Sequence, residues 1–438
     1  PGAARWIDEE PQRKMLEAVG EGTAGDRYDT AMAFAQPYGV SGVGVDLIRA
    51  EMYTGLGDPP LLAAAEHHYM ARLDDLRALV NLEATRLAGE GRIGDAMDLL
   101  VDLAQFGYQM ADREFLDEAV WGYETMAEAI ARVRDIAYID FKGERAVDPD
   151  RLKGVIERLD PEDGPIRLDR LNFPRANRLA AEQLIAALYE PRGGVDEARF
   201  VPTMVRLATT DRPLRRFSAA STYEALVGSQ RDWFEIDDVV GRVFDLWQRL
   251  WELDRFDPQH ALTTAWETEV GDDTVIVRAA AGGDMGVLYE MRTRVDLERV
   301  GTRQALGLLG ESYLRGQFPP AMDAIRSRWT GPLGDDPLNQ TRGGGRMPPM
   351  RYFRPVTDAY VADERDEPEP HEMLVFPGDG TNFRVVLYEE DFLVYSTGAD
   401  GRDSGGTRMT RDPESLLGDY LIWPPVLSLH RSHLRQIG

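Results

Sequence analysis

The residues in this chain best suited to chemistry are carboxylates set among glycines, and they crowd into one stretch, Tyr395 to Pro425. There Asp400, Asp403, Asp412, Glu414 and Asp419 are interleaved with turn-forming glycines in the run YSTGADGRDSGGTRMTRDPESLLGDYLIWPP. Hard cations such as calcium take about six to eight oxygens from carboxylates, carbonyls and water, and glycine permits the backbone curvature that brings them together. The competing reading is a turn-rich loop whose Asp side chains bond their own backbone. The Asp-x-Asp-x-Asp-Gly spacing of an EF-hand is absent, so a cation here would be a folding staple of another kind.

Histidines offer less. His67 and His68 are expected on a helix, pointing about 100 degrees apart, and so cannot both face one metal. His430 and His433 stand three apart in the Arg-rich tail HRSHLRQ, where a weak transition-metal site competes with a solvated or partner-contacting tail. No Gly-x-Ser-x-Gly elbow, P-loop, kinase signature or His-Glu-x-x-His occurs, which leaves paired carboxylates as the route to a hydrolase. With 76 acidic residues such pairs arise by chance; Glu389-Glu390 reads as a turn between strand segments. No catalytic residue is assigned, and a non-enzymatic protein is expected.

The elements that must position the carboxylate loop are a strand over Phe383 to Ser396 before it and the apolar Tyr-Leu-Ile-Trp plug after it. A hairpin signal, Pro377-Gly378-Asp379-Gly380, stands between Met373–Phe376 and Phe383–Tyr388. Residues 363–372 read as an acidic connector, and residues 331–350 as the segment most open to proteases. Before these the period is helical. A helix over about 284–314 carries Leu297, Val300, Ala305 and Leu308 on one face and stops at Gly316 and Pro319-Pro320.

Further upstream, Gly57-Asp58-Pro59-Pro60 reads as a helix start. Tyr69, Leu73, Leu76, Val80, Ala84 and Leu87 then mark one stripe, Ala96, Leu99, Leu100, Leu103 and Met110 a second, and Phe115, Ala119, Gly122, Met126 and Val133 a third. Short connections make these antiparallel hairpins, and the spacing of Gly91, Ile93 and Ala96 is similar to the turn of a tetratricopeptide (TPR) unit. More helix is expected at 148–159, 176–188, 200–207 and 239–253, with a short strand at Thr274–Val277. Trp233, Trp247, Trp251 and Trp266 read as core rather than as a ligand stripe. Gly282-Gly283-Asp284-Met285-Gly286 has the wrong spacing for a nucleotide loop.

The chain has 438 residues, 43% of them hydrophobic, and a formal charge of −26. That length supports two or three domains, and the charge argues against nucleic acid or an anionic membrane surface as the main partner. Basic residues are almost all Arg, with Lys only at 14, 142 and 153, a bias that GC-rich coding or a salty habitat would leave. The absence of cysteine excludes disulfides and zinc-thiolate sites. No apolar run is long enough for a membrane-spanning helix.

Two pieces together carry a resemblance. Tyr313-x-x-Gly316-x-Phe318-Pro319 at a helix end, followed by a small sheet and by Tyr395-Ser396-x-Gly398-x-Asp400-Gly401-x-Asp403-x-Gly405-Gly406, resembles the C-terminal half of the type II secretion major pseudopilins. The helical part, especially 91–110, resembles uncharacterised planctomycete-type envelope proteins that carry the same ending. The resemblance implies a structural calcium held by Asp400, Asp403 and Asp419 with the Ser396 side chain or nearby carbonyls. It also implies an envelope location, periplasmic or extracellular, with an anchor or cleaved signal ahead of Pro1. The apolar N-terminal helix and processing motif of pseudopilins are not seen.

The expected architecture is mainly α, with TPR-like antiparallel helical hairpins followed by a small α+β pseudopilin-like module. Short helical pieces are expected over 1–58, the hairpin domain over 59–290, and the long helix, small antiparallel sheet and Asp/Gly-rich loop over 291–438. The expected role is a structural or protein-docking protein of the envelope with protein partners. A subunit of a larger envelope or secretion-type assembly is a second reading, and an envelope hydrolase a third.

Overall fold

The computed structural model describes residues 2–24, 44–191, 193–210, 212–253, 265–281, 285–339, 348–362, 369–412 and 416–437. The glycines 282–283 with Asp284, and Glu414, lie outside them. Helices α1 (Gly2–Ile7), α2 (Glu10–Thr23) and α3 (Val45–Arg49) come first, followed by the two-residue antiparallel pair β1 (Thr54–Gly55) and β2 (Glu66–His67).

The expected helix start at Pro59 is not one. The next α-helix, α4, spans Met70–Gly89. Residues 56–62 are held in turns by later helices: Arg206 donates to the carbonyls of Leu56 and Pro59 at 2.8 and 2.7 Å, and Leu62 N donates to Gln183 at 2.7 Å. Those long-range bonds override the local proline signal.

The apolar stripe expected over α4 is the one the structure buries, from Tyr69 to Leu87, and α5 (Ile93–Ala111) and α6 (Leu116–Lys142) follow through short turns and pack against that helix. The α5–α6 crossing is set by glycine: a Cβ on Gly122 would lie 2.3 Å from Ala111 N and 2.6 Å from Gly107 O, so the two backbones touch.

The remaining helices are α7 (Pro149–Arg158), α8 (Ala176–Leu188), α9 (Glu197–Thr209), α10 (Arg216–Leu226), α11 (Trp233–Glu252), α12 (Val275–Ala281) and α13 (Val287–Arg315). Trp247 and Trp251 are buried, and Trp233 and Trp266 pack on the same core. The expected strand at Thr274–Val277 is instead the start of α12. Thr274 Oγ accepts from Gly271 N at 2.8 Å, and Ile276 and Val277 are buried, so packing outweighs the strand preference of the β-branched run.

Helix α13 is the axis of the molecule. Every residue from Val295 to Ser312 is buried, with α6 and α7 packed along it and the C-terminal sheet against it. It ends at Gly316 in the left-handed conformation, φ 75°, the cap the sequence signals. Within 331–350, the described residues Leu333, Asp336, Leu338, Asn339 and Met350 are buried, and Gln304 of α13 donates to Leu333 O at 2.9 Å. That part is packed rather than open.

The sheet holds β3 (Arg351–Phe353), β4 (His371–Phe376), β5 (Phe383–Leu387), β6 (Leu393–Ser396), β7 (Arg408–Thr410) and β8 (Tyr420–Trp423), in the order β3-β6-β8-β7-β4-β5. Helix α14 (Pro355–Ala362) follows β3, and α15 (Val426–Ile437) closes the chain. The β4–β5 hairpin is the expected one, whereas His371 and Glu372, read as connector, belong to β4. The expected single strand Phe383 to Ser396 is two, split at Glu389-Glu390, where Asp391 accepts from Tyr388 N at 3.1 Å. Nor is the sheet antiparallel throughout, since β7 runs parallel to both β4 and β8.

Charge crosses the contact between helices and sheet. Glu298 of α13, fully buried, accepts from Arg134 of α6, from Arg411 at 2.5 Å and from the Tyr420 hydroxyl at 2.8 Å. Burial pushes its carboxyl up, but Arg411, Arg134 and Arg294 together outweigh that and hold it at about 2. On the same helix α6, Asp135 accepts from Ser428 and Arg431 of α15, and Lys142 pairs with Asp391 at 2.5 Å. Trp423 completes the contact, stacked on Phe392 and edge-on to Tyr138 and Phe141.

Candidate functional site

The Asp/Gly loop leaves β6, passes through β7 and returns at β8, so its base is a rigid buried sheet. Glycine makes its course possible. Gly398, Gly401, Gly405, Gly406 and Gly418 all have positive φ, and a Cβ on Gly398 would lie 2.1 Å from Gly418 O. The two ends of the loop are therefore pressed together.

The sequence-expected ligands divide. Asp419 is at the base and 3% exposed; one oxygen, Oδ2, accepts from Ser404 N at 2.8 Å and from Ser404 Oγ at 2.5 Å. Its other oxygen, Oδ1, is buried with no hydrogen-bond partner among the described residues. Burial pushes the Asp419 carboxyl up, the bonds from Ser404 oppose this, and Asp403 and Asp400 push it further up. Both neighbouring carboxylates therefore act on Asp419.

Asp403 accepts from Tyr395 OH at 3.0 Å and Gly405 N at 2.9 Å, and pairs with Arg351 of β3 at 3.1 Å. Asp400 accepts from Arg402 N and Gly418 N, each at 3.3 Å, long bonds that hold the loop shut. Ser396 faces elsewhere: its hydroxyl donates to the buried Asp336 at 2.8 Å and accepts from Gly398 N at 3.1 Å. Among the described residues no three His, Asp or Glu side chains form a group able to hold a metal alone. A cation here would draw on Asp419 Oδ1, loop carbonyls and water. Sequence reasoning missed Asp336, Ser404 and Arg351, whose partners lie 15 to 60 residues away and which carry no motif.

The histidines are placed by other means. His67 ends β2 and His68 lies in the turn just after it, so neither is on a helix. His67 is buried against Phe115, its Nδ1 3.1 Å from Thr54 Oγ and 3.9 Å from Glu118; His68 lies 3.5 Å from Glu66 near the surface. His430 and His433 both stack on Phe383, with ring centroids 5.4 and 5.1 Å away.

Two adjoining depressions of about 440 and 420 Å³ share Arg158, Asp163, Gly164 and Pro165. Their charged walls pair with each other, Arg151 with Asp98 at 2.7 Å and Arg158 with Asp102 at 2.5 Å.

Fold and site together define a mainly helical protein with a small C-terminal sheet that carries a glycine-shaped acidic loop. Compared with protein-family models, with curated proteins and with solved structures, the chain matches none. Among the described residues no helix is long and apolar enough to cross a membrane.

Proposed function

We propose that the chain is a structural or docking protein of the cell envelope whose C-terminal loop is fastened by calcium, and that it is not a catalyst. The observation that carries this reading is Asp419 Oδ1, a buried carboxylate oxygen with no hydrogen-bond partner among the described residues, beside two further carboxylates. An unmet acceptor of this kind is costly, and a hard cation meets it. The pseudopilin likeness is supported by arrangement as well as by motif: α13 lies against β6 and β8, and the loop leaves β6. That likeness is also what supports the envelope location. The TPR-like reading of α4 to α6 rests on their consecutive packing and on the Gly91 turn, φ 80°. Protein partners, a place in a larger assembly among them, follow from the same reading.

The test is thermal melting of the wild type and of Asp419→Ala in millimolar calcium and in chelator. Calcium should raise the wild-type midpoint and leave that of the variant unmoved. Equal calcium response in both proteins would remove the loop from the proposal. Affinity capture from the native envelope fraction, with and without calcium, then asks whether partner binding follows the loop.

A further inference from the structure

The chain is acidic overall, yet the turn joining α9 to α10 is basic and apolar. After Thr210 and Asp211 the sequence continues Arg212-Pro213-Leu214-Arg215-Arg216-Phe217-Ser218, and these seven residues are all exposed. Leu214 is 98% and Phe217 89% exposed, the extremes among the large apolar side chains described. A Leu and a Phe so bare, directly flanking a pair of arginines, are not the scattered surface apolars that need no account.

The arginines are equally unspent. Elsewhere many arginines pair with the abundant carboxylates, as Arg199 does with Asp196, and Arg206 donates to backbone carbonyls instead. Arg212, Arg215 and Arg216 make no ion pair among the described residues, and the first turn of α10 carries no acidic residue. Three cations thus sit at the positive end of a helix dipole, where anions are favoured and cations are not. Helix α10 buries none of its own residues and is held mainly on α9, so the turn is the end of a helical hairpin with open solvent around its side chains.

We propose that this turn docks on an anionic lipid surface, with Leu214 and Phe217 entering the headgroup–acyl boundary and Arg212, Arg215 and Arg216 on lipid phosphates. Charge complementarity selects the sign of the surface. Apolar side chains that stand free, with no groove of their own, fit a fluid interface, which needs no matching shape. The inference does not rest on the calcium loop. It sets a local basic contact against the repulsion of the remaining acidic surface, which salt screens beyond about 8 Å at physiological strength.

The experiment is cosedimentation of the full chain with vesicles of phosphatidylcholine alone and of equimolar phosphatidylcholine and phosphatidylglycerol. The wild type should sediment with the anionic vesicles and not with the neutral ones. The Arg215→Gln/Arg216→Gln variant should bind more weakly by roughly fivefold per arginine, and Leu214→Ser/Phe217→Ser should lose binding while melting as the wild type does. Leu179→Ser, at an exposed apolar residue on α8, should bind unchanged. Failure of the wild type to bind anionic vesicles, or undiminished binding by either double variant, overturns the proposal. Concentration-dependent self-association without lipid that both double variants abolish would also overturn it, since the turn would then dock a second copy.

Discussion

Replacing Glu298 with Gln should show how the two halves of the molecule are joined. The side chain keeps its shape and loses the charge that Arg134 and Arg411 share. Breaking a buried ion pair from one side strands the other charge and costs about 3–5 kcal/mol. The electrostatics imply a similar size: a carboxyl held at about 2 rather than its ordinary 4.5 represents about 3 kcal/mol at about 1.4 kcal/mol per pH unit. Unfolding entropy near 2.1 cal/mol/K per residue is roughly 0.9 kcal/mol/K over this chain. If the chain melts as one unit, the midpoint should therefore fall by about 4 °C at neutral pH. The sign with pH follows. A carboxyl depressed in the folded state contributes stability above 4.5 and loses it as the pH falls toward 2, so the gap between wild type and variant should narrow across that window. The triple replacement Glu298→Leu, Arg134→Met and Arg411→Met should recover most of the loss, because no charge is left unpaired. The assay is calorimetric melting over pH. A neutral-pH midpoint within about 1 °C of wild type, or a gap indifferent to acid, would refute the reasoning.

Two further perturbations test the packing and the buried histidine. Gly122→Ala should cost about 1–3 kcal/mol by forcing α5 and α6 apart, whereas Gly154→Ala on α7, with open space where its Cβ would go, should add about 0.5–1 kcal/mol; denaturant melts that gave both the same sign would contradict this. Burial holds the His67 imidazole below its ordinary 6.5, against the pull of Glu118 and Asp117. The folded state therefore loses stability as the pH drops below 6.5, and His67→Leu should flatten that part of the curve in melts taken stepwise from neutral pH downward.

What the sequence made legible is what is local. The expected bounds of α8 at 176 and 188 coincide with the structure, and the stripes of α4, α5 and α6 are buried largely as their spacing requires. The carboxylate loop was legible as a loop, because its glycines demand the positive φ they have. Failures arose where distant residues decide. Arg206 and Gln183 hold the Pro59-Pro60 segment in turns, and the core around α8 makes a helix of a β-branched run. Ser396 was assigned to the loop, yet Asp336, 60 residues earlier, takes its hydroxyl. Least legible were Glu298 and Arg134, which no motif marks; the one local hint was Gly301 and Gly310 on α13, against which Ile422 and Trp329 pack too closely for a side chain.

The order in which a ribosome delivers these residues gives the charge clamp a consequence. Helices α6 and α13 emerge long before Arg411, Tyr420, Ser428 and Arg431. Until then, among the described residues, Glu298 is ion-paired with Arg134, with Arg294 acting at longer range, and Asp135 with Arg132, and the face of α13 that β6 and β8 cover is bare. A chain that stops short of residue 411 keeps that exposed apolar face and those half-paired charges for good. Shortened products are therefore marked for proteolysis by the same residues that lock the finished molecule.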